Sequence, residues 1–208
     1  ETPTEPTDLR TLQTTLKTSG LADYLPGDLT LPIGVAVQSF KGEDWTLVQG
    51  RDVTQVNDAT VSLMYEDGRL AIEDCRVGMP QYGEAQLSGT VKTYGAWPMQ
   101  LIAQVKTPLT PQPITLKADL SGAVKDEIRG AFSTDGWVTA AAVVSLQPSQ
   151  PRLPLAVTGK LRAPLTLSAA DRTVTLDGTD WQLQGFIDEA RLSAGSRVLL
   201  RRGKDEKA

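Results

Sequence analysis

Apolar and polar residues alternate along most of this chain with a period of two. The alternation is clearest between Pro113 and Leu167, where Ile114, Leu116 and Leu120 are separated from one another by polar positions. A period of two places successive side chains on opposite faces of a β-strand. One buried and one solvated face is typical of an antiparallel sheet, whereas a parallel sheet reads as continuous Val, Ile and Leu. The pattern therefore predicts an all-β protein built on a long antiparallel sheet.

Short turn motifs separate the alternating stretches and set the register between them. The Asp67-Gly68 pair predicts a two-residue turn, which places Tyr65 opposite Leu70 and Leu63 opposite Ile72. All four side chains then lie on one face, so the turn and the hydrophobic pattern agree. An Asp177-Gly178 pair predicts a second turn of this kind, with Val174 opposite Trp181.

The Asp135-Gly136 pair needs a different loop, because a two-residue turn would set apolar residues opposite polar ones. A shift by one residue places Phe132 opposite Val138 and Ile128 opposite Ala142. We therefore predict a three-residue loop, Thr134 to Gly136, with Gly136 left-handed in a bulge.

Further turns and breaks follow from Gly and Pro. Residues 40–43 read as a turn that leads into a strand carrying Trp45, and residues 94–98 read as a connection between two strands. Proline cannot donate to a strand ladder, so proline clusters belong at strand ends. The two clusters are Pro108, Pro111 and Pro113, and Pro148, Pro151 and Pro154.

A weak internal repeat places a glycine after an apolar and a polar residue in four strands. The four copies are Leu87-Ser88-Gly89, Leu120-Ser121-Gly122, Val157-Thr158-Gly159 and Leu183-Gln184-Gly185. Their uneven spacing excludes a strict solenoid and fits a sheet that grows by similar hairpins. Glycine on an apolar face removes side-chain volume, which predicts a hollow or a bend in the sheet.

One stretch near the start has helical spacing. Leu9, Leu12 and Leu16 follow Asp8, a plausible N-cap, at intervals of three and four. We predict a short helix over residues 8–24 that covers an end of the sheet. The whole chain then divides into a linker at residues 1–7, a helix and turn at 8–28, one continuous β segment at 29–201 and a charged tail at 202–208.

Composition excludes several classes of function. The net charge is −4, whereas a nucleic-acid surface needs a basic stripe to displace counterions. The chain has no His, which removes Ser-His-Asp and Cys-His catalysis and every imidazole metal site. Adjacent acidic residues on a strand point to opposite faces and cannot share a proton or metal. We expect neither an enzyme nor a cofactor, and we interpret the lone Cys75 as a small strand residue.

The chain contains no run of eighteen apolar residues and no signal peptide. It opens with ETPTEPT, which has the composition of a linker. We therefore expect a segment of a longer protein, with any membrane anchor outside it.

The apolar face is the candidate functional surface. The sequence has no second amphipathic layer to cover it, so the face either rolls up as a filled sandwich or barrel or curls into a trough that holds an apolar ligand. Periodicity alone leaves both alternatives open. Its candidate residues are Val35, Val37, Leu63, Ile72, Leu87, Val91, Leu101, Ala103, Val105, Ile114, Leu116, Leu120, Ile128, Phe132, Val138, Val144, Leu155, Val157, Leu161, Val174 and Leu183.

Several motifs resemble, in order and spacing, the periplasmic part of the TamB family of AsmA-like bridge proteins. They are Leu31-Pro32 leading into Phe40-Lys41-Gly42-Glu43, Leu87-Ser88-Gly89-Thr90, Trp97-Pro98 and Leu153-Pro154-Leu155. The resemblance covers about residues 29–190 and fits the part of the family upstream of its C-terminal domain.

The resemblance implies a sheet folded lengthwise into a U-shaped hydrophobic trough, or β-taco. It also implies a parent protein that is anchored in the inner membrane, spans the periplasm of Gram-negative bacteria and partners a TamA-like outer-membrane barrel. Phospholipid transport to the outer membrane and assembly of outer-membrane proteins are the implied functions. The family offers no catalytic residues to carry over.

We therefore expect the apolar face to bind phospholipid acyl chains. Two alternatives remain at this point. A sheet edge could bind unfolded outer-membrane strands by β-augmentation, or the segment could be a spacer with a filled core.

Overall fold

The computed structural model describes residues 20–25, 27–49, 52–108, 112–169 and 172–202. These residues form twelve β-strands preceded by a 3₁₀ turn at Leu21–Tyr24. The strands are β1 Val35–Gln49, β2 Asp52–Glu66, β3 Arg69–Met79, β4 Gly83–Lys92, β5 Pro98–Thr107, β6 Ile114–Ala123, β7 Ile128–Gly136, β8 Ala140–Leu146, β9 Pro154–Leu161, β10 Leu165–Ala169, β11 Arg172–Phe186 and β12 Glu189–Arg202.

All twelve strands belong to one open antiparallel sheet. From β1 to β9 each strand pairs with the next along the chain. The long β11 pairs with β9 through residues 180–186 and with β10 through residues 172–176. β12 pairs with β11 on its other side, so β1 and β12 are edge strands, and the short β10 pairs with β11 alone among the described strands. The predicted all-β, antiparallel fold is confirmed.

Several predicted connections are confirmed by the register. Asp67 and Gly68 form the two-residue turn between β2 and β3, with Tyr65 opposite Leu70 and Leu63 opposite Ile72. Both turn residues have positive φ, 49° and 69°, as a type I′ turn requires. Proline also lies at strand ends, since Pro98 begins β5 and Pro154 begins β9.

The predicted turn at Asp177-Gly178 is wrong. Both residues lie inside β11, where Val174 is opposite Leu200 and Trp181 is opposite Ala194. Gly178 does have a positive φ of 56°, and the register between β11 and β12 shifts at this point. The positive φ therefore serves a β-bulge within a long strand rather than a hairpin.

The predicted loop at Thr134–Gly136 is also wrong. Phe132 pairs with Ala142 rather than Val138, and Ile128 pairs with Leu146. Gly136 has a positive φ of 110° but is still paired with Ile114 of β6. Residues 137–139 make the connection, which places Val138 outside the strands.

Residues 40–43, predicted as a turn, continue β1 without a break. The register of β1 against β2 shifts between Val37 and Phe40, and Asp44 takes a φ of 52°. The local irregularity that suggested a turn is accommodated by a bulge. Similar shifts occur at Ser62/Leu63 in β2 and between Ile72 and Cys75 in β3. Bulges bend a strand and increase its twist, so these positions curve the sheet.

The strand connections form two rims. The first rim consists of residues 67–68, 93–97, 124–127, 147–153 and 187–188, and the second includes residues 80–82, 108, 112–113 and 137–139. Residues 20–25 and 27–34, which we call the strap, run along the first rim before the chain enters β1. Residues 8–19 of the predicted helix lie outside the described residues, and its end, Leu21–Tyr24, is a 3₁₀ turn rather than α-helix.

Tyr65 and Thr93 hold the strap against the first rim. The Leu29 carbonyl oxygen accepts hydrogen bonds from the Tyr65 hydroxyl at 2.6 Å and the Thr93 hydroxyl at 2.6 Å. The Leu29 N–H donates to the Thr93 carbonyl at 2.7 Å, and the Leu31 N–H donates to the Tyr65 oxygen at 3.3 Å. Tyr65 and Thr93 are both buried, so these bonds are shielded from competition with water.

We predict that Tyr65→Phe loosens the strap. The buried hydroxyl bonds to Leu29 and Leu31 are lost, which should cost about 1 kcal/mol of unfolding free energy. Hydrogen exchange of the Leu31 amide should accelerate, since Tyr65 is its acceptor. Tyr82→Phe, at an exposed tyrosine on the second rim, is the control and should change neither quantity. Unchanged exchange at Leu31 in Tyr65→Phe would contradict the assignment.

Backbone geometry requires three of the four glycines of the internal repeat, Gly89, Gly122 and Gly185. Gly89 and Gly122 have φ of 139° and 119°, which side-chain-bearing residues rarely adopt. A Cβ at Gly89 would overlap the backbone of Gln100, and one at Gly122 would overlap that of Glu127. These positions admit no side chain, because the neighbouring strand approaches too closely.

Gly89→Ala is accordingly expected to destabilise the fold by roughly 1–3 kcal/mol. Gly195→Ala is the matched control, because Gly195 also lies in a strand but a Cβ there meets nothing within 4 Å. The control should stay within about 0.5 kcal/mol of the native chain. Urea denaturation measures both, and equal effects of the two substitutions would refute the close-approach argument.

Candidate functional site

Cross-strand pairing carries one apolar face across the whole described sheet. Leu116 of β6 lies opposite Val105 on β5, which in turn lies opposite Ala85 on β4. In the other half, Val144 lies opposite Val157, which is opposite Leu183. Directly opposed residues share a face, so the apolar positions of consecutive strands form continuous rows.

The register brings together nearly all of the candidate residues. Apart from Val138, which lies in the connection 137–139, every candidate from Val35 to Leu183 is on this one face. Val174 reaches the same face from β11 by a route other than the predicted turn, since it lies opposite Leu167 and Leu200. The periodicity therefore places these residues on one shared face even where the predicted connections are wrong.

The apolar face is not covered by a second layer within the described part of the chain. Every pair of elements in extensive contact is a pair of hydrogen-bonded neighbours. Buried apolar residues are few in the described part of the chain, among them Ala59 and Ala118, and most of the candidate residues are half-buried. At the β12 edge exposure is larger, with Leu192 64% and Leu200 72% exposed. A filled sandwich core would bury these side chains more completely.

A hollow on this face has a volume of about 260 Å³. Leu116, Phe132, Val144 and Val157 line it together with Trp181. Phe132 and Trp181 lie on different strands, β7 and β11, and both contribute a ring to the lining. The remaining lining comes from small residues, namely Ser133, Thr134, Ala140, Ala141 and Ala142. The hollow can accept a flexible apolar group without offering it a charged partner.

Aromatic rings cover buried glycines on the same face. A Cβ at Gly159 would overlap the indole of Trp181, and a Cβ at Gly130 would meet the Phe132 ring at 2.6 Å. Both glycines are buried. The absence of a side chain therefore lets each ring lie low over the sheet, which keeps the floor of the face smooth and apolar.

Sequence reasoning missed Trp181, Ala140 and Ala142 as lining residues. Ala140 and Ala142 continue the alternation that leads to Val144, but their small size gives a weak signal. The predicted Asp177-Gly178 turn places Trp181 opposite Val174 in a hairpin, which is not its position in the sheet. Its position opposite Gly159 follows only from the pairing of β9 with β11, which are separated by the short β10.

Polar side chains on the opposite face form hydrogen bonds with one another. Ser62 donates to Glu73 at 2.9 Å, and Glu127 accepts hydrogen bonds from Arg129 and Ser145, each at 2.8 Å. The hydrogen bond from Arg129, followed by that from Ser145, holds the pKa of Glu127 below its ordinary value. These contacts distinguish a solvated face from the apolar one.

The described residues provide no chemistry beyond this division of faces. They contain no group of three or more His, Cys, Asp or Glu residues that could hold a metal ion. None of their helices has the length and apolar character needed to cross a bilayer. Cys75 is half-buried and lies on the apolar face opposite Val61 and Leu87.

Comparison with known proteins agrees with the motif resemblance. The family model described as TamB, N-terminal domain, matches residues 1–201. No solved structure matches the chain at a significant level. Because the family model spans nearly the whole length, and the matched residues include all the strands from β1 to β11, the chain belongs to the TamB N-terminal domain family.

Proposed function

We propose that this chain is a periplasmic segment of a TamB-like bridge and binds phospholipid acyl chains on its apolar face during transport to the outer membrane. The observation that carries the proposal is the continuous, half-exposed aliphatic face, which no described element covers. Family membership supports the setting between two membranes. The same setting implies an inner-membrane anchor and a TamA-like barrel partner, both supplied by the parent protein.

The physical argument concerns the cost of exposing an acyl chain to water. Each methylene group transferred from water to an apolar surface contributes about 0.8 kcal/mol. Contact with Leu, Val, Ile and Ala side chains along the face offsets that cost. The face binds by area and without directional bonds, so a chain can slide along it. The role is binding and conduction rather than catalysis.

A trough rather than a flat sheet suits this function. The bulges in β1, β2, β3 and β11 and the close backbone approach at Gly89 and Gly122 favour curvature. Curvature toward the apolar side shields a bound chain on two sides while leaving a lengthwise opening. The half-buried state of the face is compatible with such an opening.

Photo-crosslinking in cells that express the full-length parent tests occupancy of the face. A photoreactive side chain at position 116 should capture phospholipid, because Leu116 lines the hollow. The same group at position 117 should not, because Lys117 is exposed on the other face. Capture at neither position, or capture of protein alone at position 116, would overturn the proposal.

A matched pair of substitutions tests affinity. Val143 and Val144 are neighbours on opposite faces, and Val143 is 62% exposed. Val144→Asp should weaken binding of a fluorescent fatty acid at least about tenfold, since an isolated charge on an apolar floor resists desolvation. Val143→Asp should leave binding unchanged.

Circular dichroism of both variants shows whether each one is still folded. If the two aspartates reduce affinity equally while both variants stay folded, the apolar face is not the binding surface.

A further inference from the structure

The polar face carries a second cavity, where β6 begins and β7 ends at the second rim. Its volume is about 180 Å³, which is roughly the space that six water molecules occupy in the liquid. Its lining residues are Thr115, Lys117, Ser133, Thr134, Asp135, Thr139 and Arg162. We call this cavity the rim hollow. Besides two cations and one carboxylate, its lining residues all carry hydroxyl groups.

Strand pairing fixes four of these side chains on the polar face. Lys117 lies opposite Ser133, and Thr115 lies opposite Asp135. Directly opposed residues share a face, and the residue between Thr115 and Lys117 on β6 belongs to the apolar face. The rim hollow is therefore built on the paired strands β6 and β7.

Arg162 brings a second cation to the rim hollow from the end of β9. The strand ends at Leu161, and the next N–H, that of Arg162, donates to the Thr139 carbonyl at 2.8 Å. This bond fixes the backbone of Arg162 beside the β7–β8 connection. The side chains of Lys117, Arg162 and Asp135 are exposed, so a solute can reach all three.

The groups in the rim hollow match a phosphate with a primary amine beside it. Lys117 and Arg162 can donate charge-assisted hydrogen bonds to phosphate oxygens, and hydroxyl groups can donate to the remaining ones. Asp135 is an acceptor only when it is ionised, so it repels a bare phosphate and needs a cationic donor. A primary ammonium has three N–H donors, whereas a trimethylammonium has none. This arrangement favours phosphoethanolamine over phosphocholine and inorganic phosphate.

The rim hollow adjoins the hollow of about 260 Å³ on the apolar face. Both cavities are lined by Ser133 and Thr134. On β6, Leu116 lines the apolar cavity while its neighbours Thr115 and Lys117 line the rim hollow. Adjacent residues of a strand point to opposite faces and are separated by about 3.3 Å along it. The two cavities thus lie on the two faces of the same short stretch of β6 and β7.

We infer that the rim hollow binds the phosphoethanolamine head of a phospholipid whose acyl chain occupies the apolar hollow. The inference rests on the proposed lipid-binding function and adds a head-group site to it. The glycerol link of the lipid passes round the β7–β8 connection, with the phosphate at Lys117 and Arg162 and the ammonium at Asp135. Because the apolar face binds acyl chains by area alone, selection among lipids comes from the rim hollow.

Short-chain lipids test this head-group selectivity on the whole chain of 208 residues. Dihexanoyl phosphatidylethanolamine and dihexanoyl phosphatidylcholine, each below its micelle concentration, differ only in the head. Calorimetric titration should show binding of the first that is about two- to fivefold tighter, as one exposed ion pair contributes. Equal affinity for the two lipids would overturn the inference.

Asp135→Asn should remove the preference, because a neutral amide forms no ion pair with the ammonium. Asp119→Asn is the matched control, since Asp119 is also exposed on the polar face of the sheet but does not line the rim hollow. The control should keep the preference. A preference that survives in Asp135→Asn contradicts the assigned role of this carboxylate.

Lys117→Gln/Arg162→Gln should weaken binding of both lipids about five- to tenfold, because the phosphate loses two cationic partners. Arg76→Gln/Arg129→Gln is the control, which removes the same charge from exposed polar-face positions outside the rim hollow. It should leave both affinities unchanged. Equal weakening by the two double variants would assign the effect to net charge and overturn the site.

NMR distinguishes a lipid head from a free phosphate compound. Amide signals of Ser133 and Asp135 report on the rim hollow, and methyl signals of Leu116 and Val144 report on the apolar hollow. Dihexanoyl phosphatidylethanolamine should shift both sets. Glycerophosphoethanolamine carries the same head without acyl chains. Amide shifts with this compound but not with the lipid would assign the site to a free phosphate compound and overturn the link to lipid.

The position 116 probe separates failure of the inference from failure of the proposed function. If lipid leaves the amides of Ser133 and Asp135 unshifted, the inference fails whatever the methyl signals do. Capture of phospholipid at position 116 then keeps the lipid-binding face. If position 116 also captures no phospholipid, the proposed function itself is overturned.

Discussion

The main-chain hydrogen-bond ladder is the interaction on which this protein depends. The sheet has no second layer within the described residues, so burial of apolar side chains cannot supply the usual core. What remains is a long series of antiparallel pairings, each strand held by its neighbours. Every paired N–H and C=O is satisfied without a covering element, and the apolar side chains of one face stay available for a ligand.

The single layer explains why aromatic rings lie over glycines in this sheet. A single layer has no depth in which to bury bulky side chains, so rings lie along the sheet instead. Trp181 over Gly159 and Phe132 over Gly130 are two instances. Glycines elsewhere in the repeat serve the backbone directly, since Gly89 and Gly122 permit close approach and positive φ. Glycine thus has two roles in this sheet: it leaves room for an aromatic ring, and it permits positive φ where backbones approach closely.

Hydrophobic alternation and turn motifs carry different information about the fold, and this difference decides how much of the fold could be predicted from the sequence. Alternation with a period of two reports which face a side chain occupies, and it predicts the shared face of the apolar candidates at every position except Val138. Turn motifs such as Asp-Gly indicate only that these residues can adopt positive φ, which a hairpin turn and a β-bulge both use. At Asp67-Gly68 that freedom makes a hairpin, whereas at Gly178 it makes a bulge, because β9, β10 and β12 supply partners along both sides of β11.

The connection at residues 137–139 escaped prediction for a related reason. It contains Trp137, Val138 and Thr139 and no glycine or proline, so nothing local marks it as a turn. The pairing of Phe132 with Ala142 decides its position, and that pairing depends on β6 and β9 as much as on β7 and β8. The strap was likewise beyond local reasoning, since its partners at Tyr65 and Thr93 are distant in sequence.

Extensive contact of each strand with its ladder neighbours alone has a consequence for cooperativity. Energetically the sheet resembles a linear array, in which stability accumulates from nearest-neighbour terms as it does in repeat proteins. The destabilising effect of disrupting one strand pairing should then fall off over a few strands. Fraying should begin at the edge strands β1 and β12. Such an array can change length by whole hairpins over evolutionary time while every remaining strand keeps the surroundings it had before.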